Sequence, residues 1–201
     1  MVLVPSPRER DVLEERGLRD HSLHLCGVGP VAAAARTMRL LQTLRPRQVL
    51  LLGIAGSFDL QRFPLGSARR FSAARMDGIG VRHGASVRSL HAGRLPPHRE
   101  DDSEEFGDEL QWEEGDSLIL TVPDASDSPA AKRRRTEHPD ALAEDMESYA
   151  VAFACRCMET PLAVVRGASN LVGERDHLLW CIDEALKSAA EFALHHMVRK
   201  P

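Results

Sequence analysis

Residues 143–176 read AEDMESYAVAFACRCMETPLAVVRGASNLVGERD, and this stretch decides how the rest of the chain is understood. Leu142, Met146, Tyr149, Ala150, Phe153 and Cys157 recur at three- and four-residue spacing, which predicts a helix over Ala141–Met158 with one buried face. After a short turn, Leu162–Val165 is an apolar run of the kind found in a strand buried on both sides. A polar loop follows, and then a last helix that would bury Leu179, Ile182, Leu186, Ala189, Phe192 and Ala193, with Asn170 or Asp176 as its cap. Ligands of open α/β sheets bind beyond the carboxyl ends of the strands. Two features of the stretch suit such a place: the carboxylate of Glu147 in an apolar setting, and Ser169-Asn170 where the backbone leaves the sheet.

Upstream, strands and helices alternate in the same way. Met1–Val4 predicts a first strand, halted by Pro5-Ser6-Pro7. Ser6 as N-cap and Pro7 in the first turn open a helix that runs to about Arg16 and ends at Gly17. Glu9 falls in its first turn, where position alone gives it the role of complementing the helix dipole. His21–Cys26 predicts a second strand, Gly27-Val28-Gly29-Pro30 a turn, and Val31–Leu44 a helix. The glycines allow a ligand to approach the backbone, although the turn lacks the Lys of a P-loop and is too short for a dinucleotide fingerprint. Gln48–Leu52 predicts a central buried strand, and Gly53-Ile54-Ala55-Gly56-Ser57-Phe58 a second glycine turn in which Ser57 could donate to a sugar or an anion. Over 59–115 the signals are weaker. Arg69–Met76 contains a strand, and Arg94 to Asp116, with the acidic run Glu100–Glu105, predicts a solvated loop from which Phe106 and Trp112 could wall a pocket. Leu118–Val122 predicts a strand, and Lys132-Arg133-Arg134-Arg135 one solvated face of a helix over Ser128–His138. With no internal repeat, the whole chain, 1–201, reads as a single α/β domain: a mixed, largely parallel central sheet flanked by helices.

Composition narrows the function. The chain has 201 residues, 43% apolar and 28% charged, enough for one sizeable core and a well-solvated surface. A net charge of −4 gives no attraction to nucleic acid or to an anionic membrane, and 4% aromatics leaves little for stacking on single strands. No apolar run approaches the roughly 20 residues a membrane span needs, and no basic segment followed by an apolar run suggests a leader. Four cysteines without metal-ligand spacing predict reduced, mostly buried thiols and a cytoplasmic location, with Cys155 and Cys157 on different faces of their helix.

Taken together, Asp145-Met146-Glu147-Ser148-x-Ala150-x-Ala152 and Arg166-Gly167-x-Ser169-Asn170 resemble the signature of the purine nucleoside phosphorylase and nucleosidase superfamily. The turn Gly27-Val28-Gly29, the segment Gly53-Ile54-Ala55-Gly56 and Glu9 after strand one match the same pattern in order. The segment Arg166–Asp176 with Trp180 is most similar to the futalosine hydrolases within that superfamily, and the adenine-specific nucleosidases have Asp where this chain has Asn170. The resemblance implies a small-molecule nucleoside as substrate, a homodimer or higher oligomer, and neither a metal nor an organic cofactor.

It also implies roles for the residues. Cleavage of an N-glycosidic bond passes through an oxocarbenium-like sugar while the leaving purine gathers negative charge, so the site must hold the ribose, donate to N7 and supply a nucleophile. Glu147 would accept from the 2′- and 3′-hydroxyls, Asn170 would donate to N7, and Glu9 would activate water. Gly56, Ser57, Met146 and Ser169 would complete the substrate site, with Phe106, Trp112 or Trp180 stacking on the base. An amide that cannot transfer a proton points to a 6-oxopurine such as hypoxanthine. The competing readings are a purine nucleoside phosphorylase and a diverged nucleoside-binding protein without catalysis.

Overall fold

A computed structural model describes residues 1–83, 86–89, 107–113 and 115–197. In chain order its elements are β1 (Val2–Val4), α1 (Pro7–Leu13), β2 (Leu23–Leu25), α2 (Pro30–Leu44), β3 (Val49–Ser57), β4 (Ala68–Phe71), β5 (Ala73–Met76), β6 (Gly80–His83), β7 (Ser86–Ser89), β8 (Glu109–Gln111), β9 (Leu118–Thr121), α3 (Ser128–Glu137), β10 (Ala141–Asp145), α4 (Ser148–Cys157), β11 (Leu162–Leu171) and α5 (Ile182–Met197). Among the described residues nine strands form one mixed sheet and β6–β7 a separate hairpin. The path β2-β1-β3-β10-β9-β5-β8 is joined at β3 by β11, which pairs β4 on its other side. The pairs β1–β2, β1–β3, β3–β11, β9–β10 and β5–β9 are parallel, while β3–β10, β4–β11 and β5–β8 are antiparallel. The mixed, largely parallel sheet flanked by helices is the predicted fold.

β3 is the axis of the sheet. Leu51 and Val49 pack with Val164, Tyr149 and Leu41 beneath α2 and α4. Leu52 packs on the opposite face with Val165, Leu186, Ala189 and Leu13 beneath α1 and α5. Burial of apolar chains on both faces explains why the strand reads as a continuous run rather than an alternating one.

Several elements differ from the sequence reading. Ala141–Asp145 is a strand, not the start of a helix, and α4 begins only at Ser148. The residues are good helix formers, but a slot between β9 and β3 lets ALAED form ladders on both edges and bury every side chain; tertiary pairing overrides local propensity. Gly53–Ser57 continues β3 rather than turning, and Ser169-Asn170 lies within β11 rather than beyond it. Asn170 therefore caps nothing; Asp176 caps a short 3-10 turn over 177–179, where Leu179 is exposed. Glu109–Gln111, expected in a solvated loop, pairs with β5, while the acidic run at 100–105 and Phe106 lie outside the described residues. In α3 the basic run is not one solvated face: Arg134 is buried on Asp77 at 2.7 Å. All four cysteines are free, with Cys26 and Cys155 buried and Cys157 exposed. Among the described residues no helix is long and apolar enough to cross a membrane.

Candidate active site

A cavity of about 280 Å³ opens where the C-terminal ends of β3, β10 and β11 meet the start of α1. It brings together Glu9, Gly56, Met146, Glu147, Ser169 and Asn170. Ser57 is not among its walls: the Ser57 hydroxyl is buried and accepts the Asp59 N–H at 3.2 Å.

Glu147 lies two residues beyond the end of β10, in the N-cap position of α4. Its Oε1 accepts the Gly29 N–H at 3.0 Å, and its Oε2 accepts from Nη2 of Arg166 at 3.3 Å. Gly29 has φ 86°, a backbone shape that favours glycine. The turn after β2 thus aims a peptide N–H at the carboxylate. Burial pushes the Glu147 carboxyl up to about 7; the Arg166 charge opposes the rise and the Asp145 charge adds to it.

Arg166 is fully buried in β11. Its Nη2 donates to Asp145 Oδ2 at 2.6 Å as well as to Glu147, whereas Nε and Nη1 find no hydrogen-bond partner in the protein. Asp145 in turn accepts from the Thr121 hydroxyl at 2.8 Å and from the Ser148 N–H at 3.1 Å. Asp145 therefore anchors the start of α4 and the guanidinium at once.

Glu9 is buried in the first turn of α1 and lines the same cavity as Glu147. Ser6 caps the helix as expected: its Oγ accepts the Glu9 N–H at 3.3 Å and donates to Oε2 at 2.6 Å. The Ile54 N–H donates to Oε1 at 3.1 Å, tying the carboxylate to β3. A Cβ at Gly53 would meet Arg166 Nη1 at 2.3 Å and Glu9 Oε1 at 2.7 Å. The unpartnered edge of Arg166 and the Glu9 carboxylate thus face the same bare stretch of backbone.

Asn170 Nδ2 donates to the Leu171 carbonyl at 2.9 Å, and Oδ1 accepts from the Ser169 hydroxyl at 2.8 Å. Gly56 lies beside it: a Cβ there would come within 2.9 Å of Val172 Cγ2 and 3.4 Å of Asn170 Nδ2. Of the aromatic candidates, Trp180 lines this cavity and stacks on His177 with centroids 4.5 Å apart. Trp112 does not reach it; its ring N–H donates to the Phe71 carbonyl, and it borders a separate depression of about 510 Å³ near Arg47 and Cys155.

A family model described as the phosphorylase superfamily matches residues 106–199. The 5′-methylthioadenosine/S-adenosylhomocysteine nucleosidase of Aeromonas salmonicida is 30% identical over 157 residues, 74% of this chain and 67% of its own length. The chain belongs to the phosphorylase superfamily. The futalosine hydrolase of Streptomyces coelicolor is 44% identical over 57 residues, 28% of this chain and 24% of its own. The solved futalosine hydrolase of Helicobacter pylori superposes with a TM-score of 0.75 at 16% identity, covering 98% of this chain and 95% of that one, which is a likeness of fold. By name these relatives are one nucleosidase and two futalosine hydrolases.

Sequence reasoning missed three groups at this site. Arg166 and Asp145 stood inside the quoted motifs without a role; the signal was a charged residue in an otherwise apolar strand, which needs a buried partner. Glu144, also on the cavity wall, accepts the Ser126 N–H at 2.8 Å and the Ser126 hydroxyl at 2.5 Å, with Arg134 Nη1 at 3.5 Å. Burial raises the Glu144 carboxyl above its ordinary range, against the pull of these partners. Away from the cavity, Asp77, Glu137 and His138 bring three potential metal-ligating atoms within 4.8 Å of one another, but Arg134 and Arg133 already pair with Asp77.

Proposed function

We propose that this enzyme hydrolyses the N-glycosidic bond of a 6-oxopurine nucleoside, with futalosine as the favoured substrate, giving hypoxanthine and a dehypoxanthinyl product. The observation that carries this reading is the neutral amide of Asn170 on the wall of the cavity shared by Glu9 and Glu147. Its Oδ1 and one Nδ2 hydrogen are engaged within the protein, which leaves one N–H for N7 of a base. Such a donor stabilises a departing anion without giving up a proton, and a 6-oxopurine makes the better anion. The similarity to a futalosine hydrolase supports the same choice.

In this reading Glu147 accepts from the ribose hydroxyls, and its charge favours the positive sugar of the transition state. Water lies between Glu9 and the free edge of Arg166. Its oxygen bonds to C1′ as the C1′–N9 pair leaves with the purine, Glu9 takes the water proton, and the purine anion takes a proton from solvent. Water suits the site better than phosphate does. Four carboxylates, Glu9, Glu144, Asp145 and Glu147, line the cavity against two arginines, Arg8 and Arg175, and the buried Arg166 already faces two of the carboxylates; a dianion would meet that net negative field unfavourably.

A second reading, cleavage of 5′-methylthioadenosine, is favoured by the greater length over which the Aeromonas nucleosidase matches. Release of free base from futalosine, inosine and 5′-methylthioadenosine, with and without phosphate, separates the readings. Hypoxanthine release that does not depend on phosphate is expected. Phosphate-dependent release would make the chain a phosphorylase, and base binding without any release would make it a nucleoside-binding protein.

A further inference from the structure

Ser6 stands between two prolines, Pro5 and Pro7. A proline disfavours the helical region for the residue before it, and Ser6 is extended, with φ −129° and ψ 158°, as the N-cap of α1. Its carbonyl accepts the Arg10 N–H at 3.1 Å, and its hydroxyl oxygen accepts the Glu9 N–H at 3.3 Å. Capping accounts for both bonds and leaves the hydroxyl proton unspent. That proton is donated to Oε2 of Glu9 at 2.6 Å.

A Glu in the third position of a helix that opens on Ser ordinarily reaches back to the N-cap backbone N–H. Glu9 occupies that position and does something else. Among the described residues its carboxylate accepts from the Ser6 hydroxyl on Oε2 and from the Ile54 N–H on Oε1, and it lines the cavity. The last torsion of a Glu side chain is broad and soft, so a carboxylate held at one oxygen swings about that point. Held at both, it keeps one orientation. A Cβ at Gly53 would meet Oε1 at 2.7 Å and Arg166 Nη1 at 2.3 Å, so these two atoms border the same space. Oε1 has a lone pair beyond the one Ile54 uses, and Nη1 finds no partner in the protein. One water can bond to both.

We infer that Ser6 is the positioning residue of the general base: its hydroxyl occupies Oε2 of Glu9 and thereby turns Oε1 toward the attacking water. The inference rests on the reading of Glu9 as that base and deepens it. A hydroxyl bonded to a carboxylate is charge-assisted, and such bonds are the strong ones. Ser6 itself is fixed by the flanking prolines and by the first turn of α1, so the hold on Oε2 is rigid at its far end as well. Ser6 acts through Glu9 and not on the sugar or the base.

The test is kcat and KM for Ser6→Gly and Ser6→Thr, each alone and combined with Glu9→Gln. The substrate is whichever of futalosine, inosine and 5′-methylthioadenosine the parent cleaves fastest. Glycine caps a helix almost as well as serine, so Ser6→Gly removes the hydroxyl and spares the cap. Threonine keeps the hydroxyl and suits an extended backbone. Calorimetric binding of the free base, hypoxanthine or adenine to match the substrate, reports that the cavity is intact and should be unchanged in both. Ser6→Gly should lower kcat about 10- to 100-fold with KM within about threefold of the parent. Ser6→Thr should keep kcat within about threefold. In the Glu9→Gln background Ser6→Gly should lower kcat no further, because the two changes disable one unit. Parental kcat in Ser6→Gly, an equal loss in Ser6→Thr, or the same fold-loss with and without Glu9→Gln overturns this inference and leaves the role of Glu9 standing. A Glu9→Gln variant as fast as the parent removes Glu9 as the base, and a parent that cleaves none of the three substrates removes the hydrolase reading; in either case this inference falls with it.

Discussion

Replacing Gly53 by Ala adds one methyl group to a residue that has no chemistry of its own. Its Cβ would lie 2.3 Å from Arg166 Nη1, 2.7 Å from Glu9 Oε1 and 3.1 Å from Pro5 Cδ. Ordinary contacts between heavy atoms lie near 3.5 Å, so these groups must retreat by about an ångström. Neither can do so freely. Arg166 is fully buried and tied to Asp145 at 2.6 Å, and Glu9 is held by Ser6 at 2.6 Å and by Ile54 at 3.1 Å. Overpacking of this kind costs about 1–3 kcal/mol, which for a domain of this size lowers Tm by roughly 2–12 °C. The loss of rate should be larger. A misplacement of about 1 Å at the reacting centre can lower the rate about 10²-fold. The assay is continuous detection of released hypoxanthine, with thermal unfolding followed in parallel. Gly53→Ala should lose about 10²-fold in kcat/KM and still bind free hypoxanthine, because Gly56 and Asn170 are untouched. Combined with Glu9→Gln, it should add little, since both changes disable one unit. Activity of Gly53→Ala within threefold of the parent would refute the placement of water between Glu9 and Arg166.

Other expectations concern charge and packing. Because Glu147 is raised to about 7, it keeps its proton to higher pH than an exposed carboxylate. The groups facing it are Arg166, Asp145, Glu9 and the Gly29 N–H, and only its ionised form can accept from both ribose hydroxyls. The value of kcat/KM should therefore climb as pH passes through about 7, a limb absent from Glu147→Gln pH profiles. The same raised value favours the folded state fully below the ordinary Glu range, and this contribution is lost as pH rises to about 7; urea midpoints across that window read it. Arg134→Met leaves Asp77 and Glu144 without their buried cation and should cost about 3–5 kcal/mol in denaturant titrations. Gly167→Ala would drive a Cβ to 2.1 Å from the Ala185 carbonyl oxygen, a backbone atom of α5. Its Tm should fall by at least about 6 °C, the cost of roughly 3 kcal/mol of overpacking.

The alternation of elements was legible because β3, β11, α2 and α5 are long enough for periodicity to speak. The Ser6–Pro7 start of α1 was legible because capping is local chemistry. β10 was not, since ALAED carries no strand signal until β9 and β3 are placed on either side of it. The extension of β3 through Gly53 and Gly56 was hidden for a related reason. Glycine usually marks a turn, but here it clears room for Arg166, Glu9 and Asn170 across the sheet. Glu9, Glu147 and Asn170 were found from a motif, and the cavity does bring them together. Arg166, which links two of the carboxylates on that wall, needed three dimensions, because the residues it pairs with are about 20 positions away.

In the proposed reading, one irregularity in β11 sets how the candidate residues divide between sugar and base. Arg166 and Asn170 are four apart, so in a regular strand both side chains would project from one face. The register against β3 shifts between Ala168 and Asn170, leaving Ser169 as the extra residue of a bulge. Arg166 pairs with Gly53 and Ala168 with Ala55, whereas Asn170 pairs with Gly56 instead of Ser57. A slip of one residue exchanges faces. The bulge therefore parts Asn170 from the face that carries Arg166 and sets it on the face that carries Glu144 through the pairing of Gly56. The Ser169 hydroxyl, bonded to Asn170 Oδ1 at 2.8 Å and within 3.2 Å of the Ala55 carbonyl, ties the bulge to the residue it re-aims. A cation among carboxylates on one side and a neutral amide on the other are the two environments the proposed chemistry asks for: one for a sugar turning positive, the other for a base that must be released.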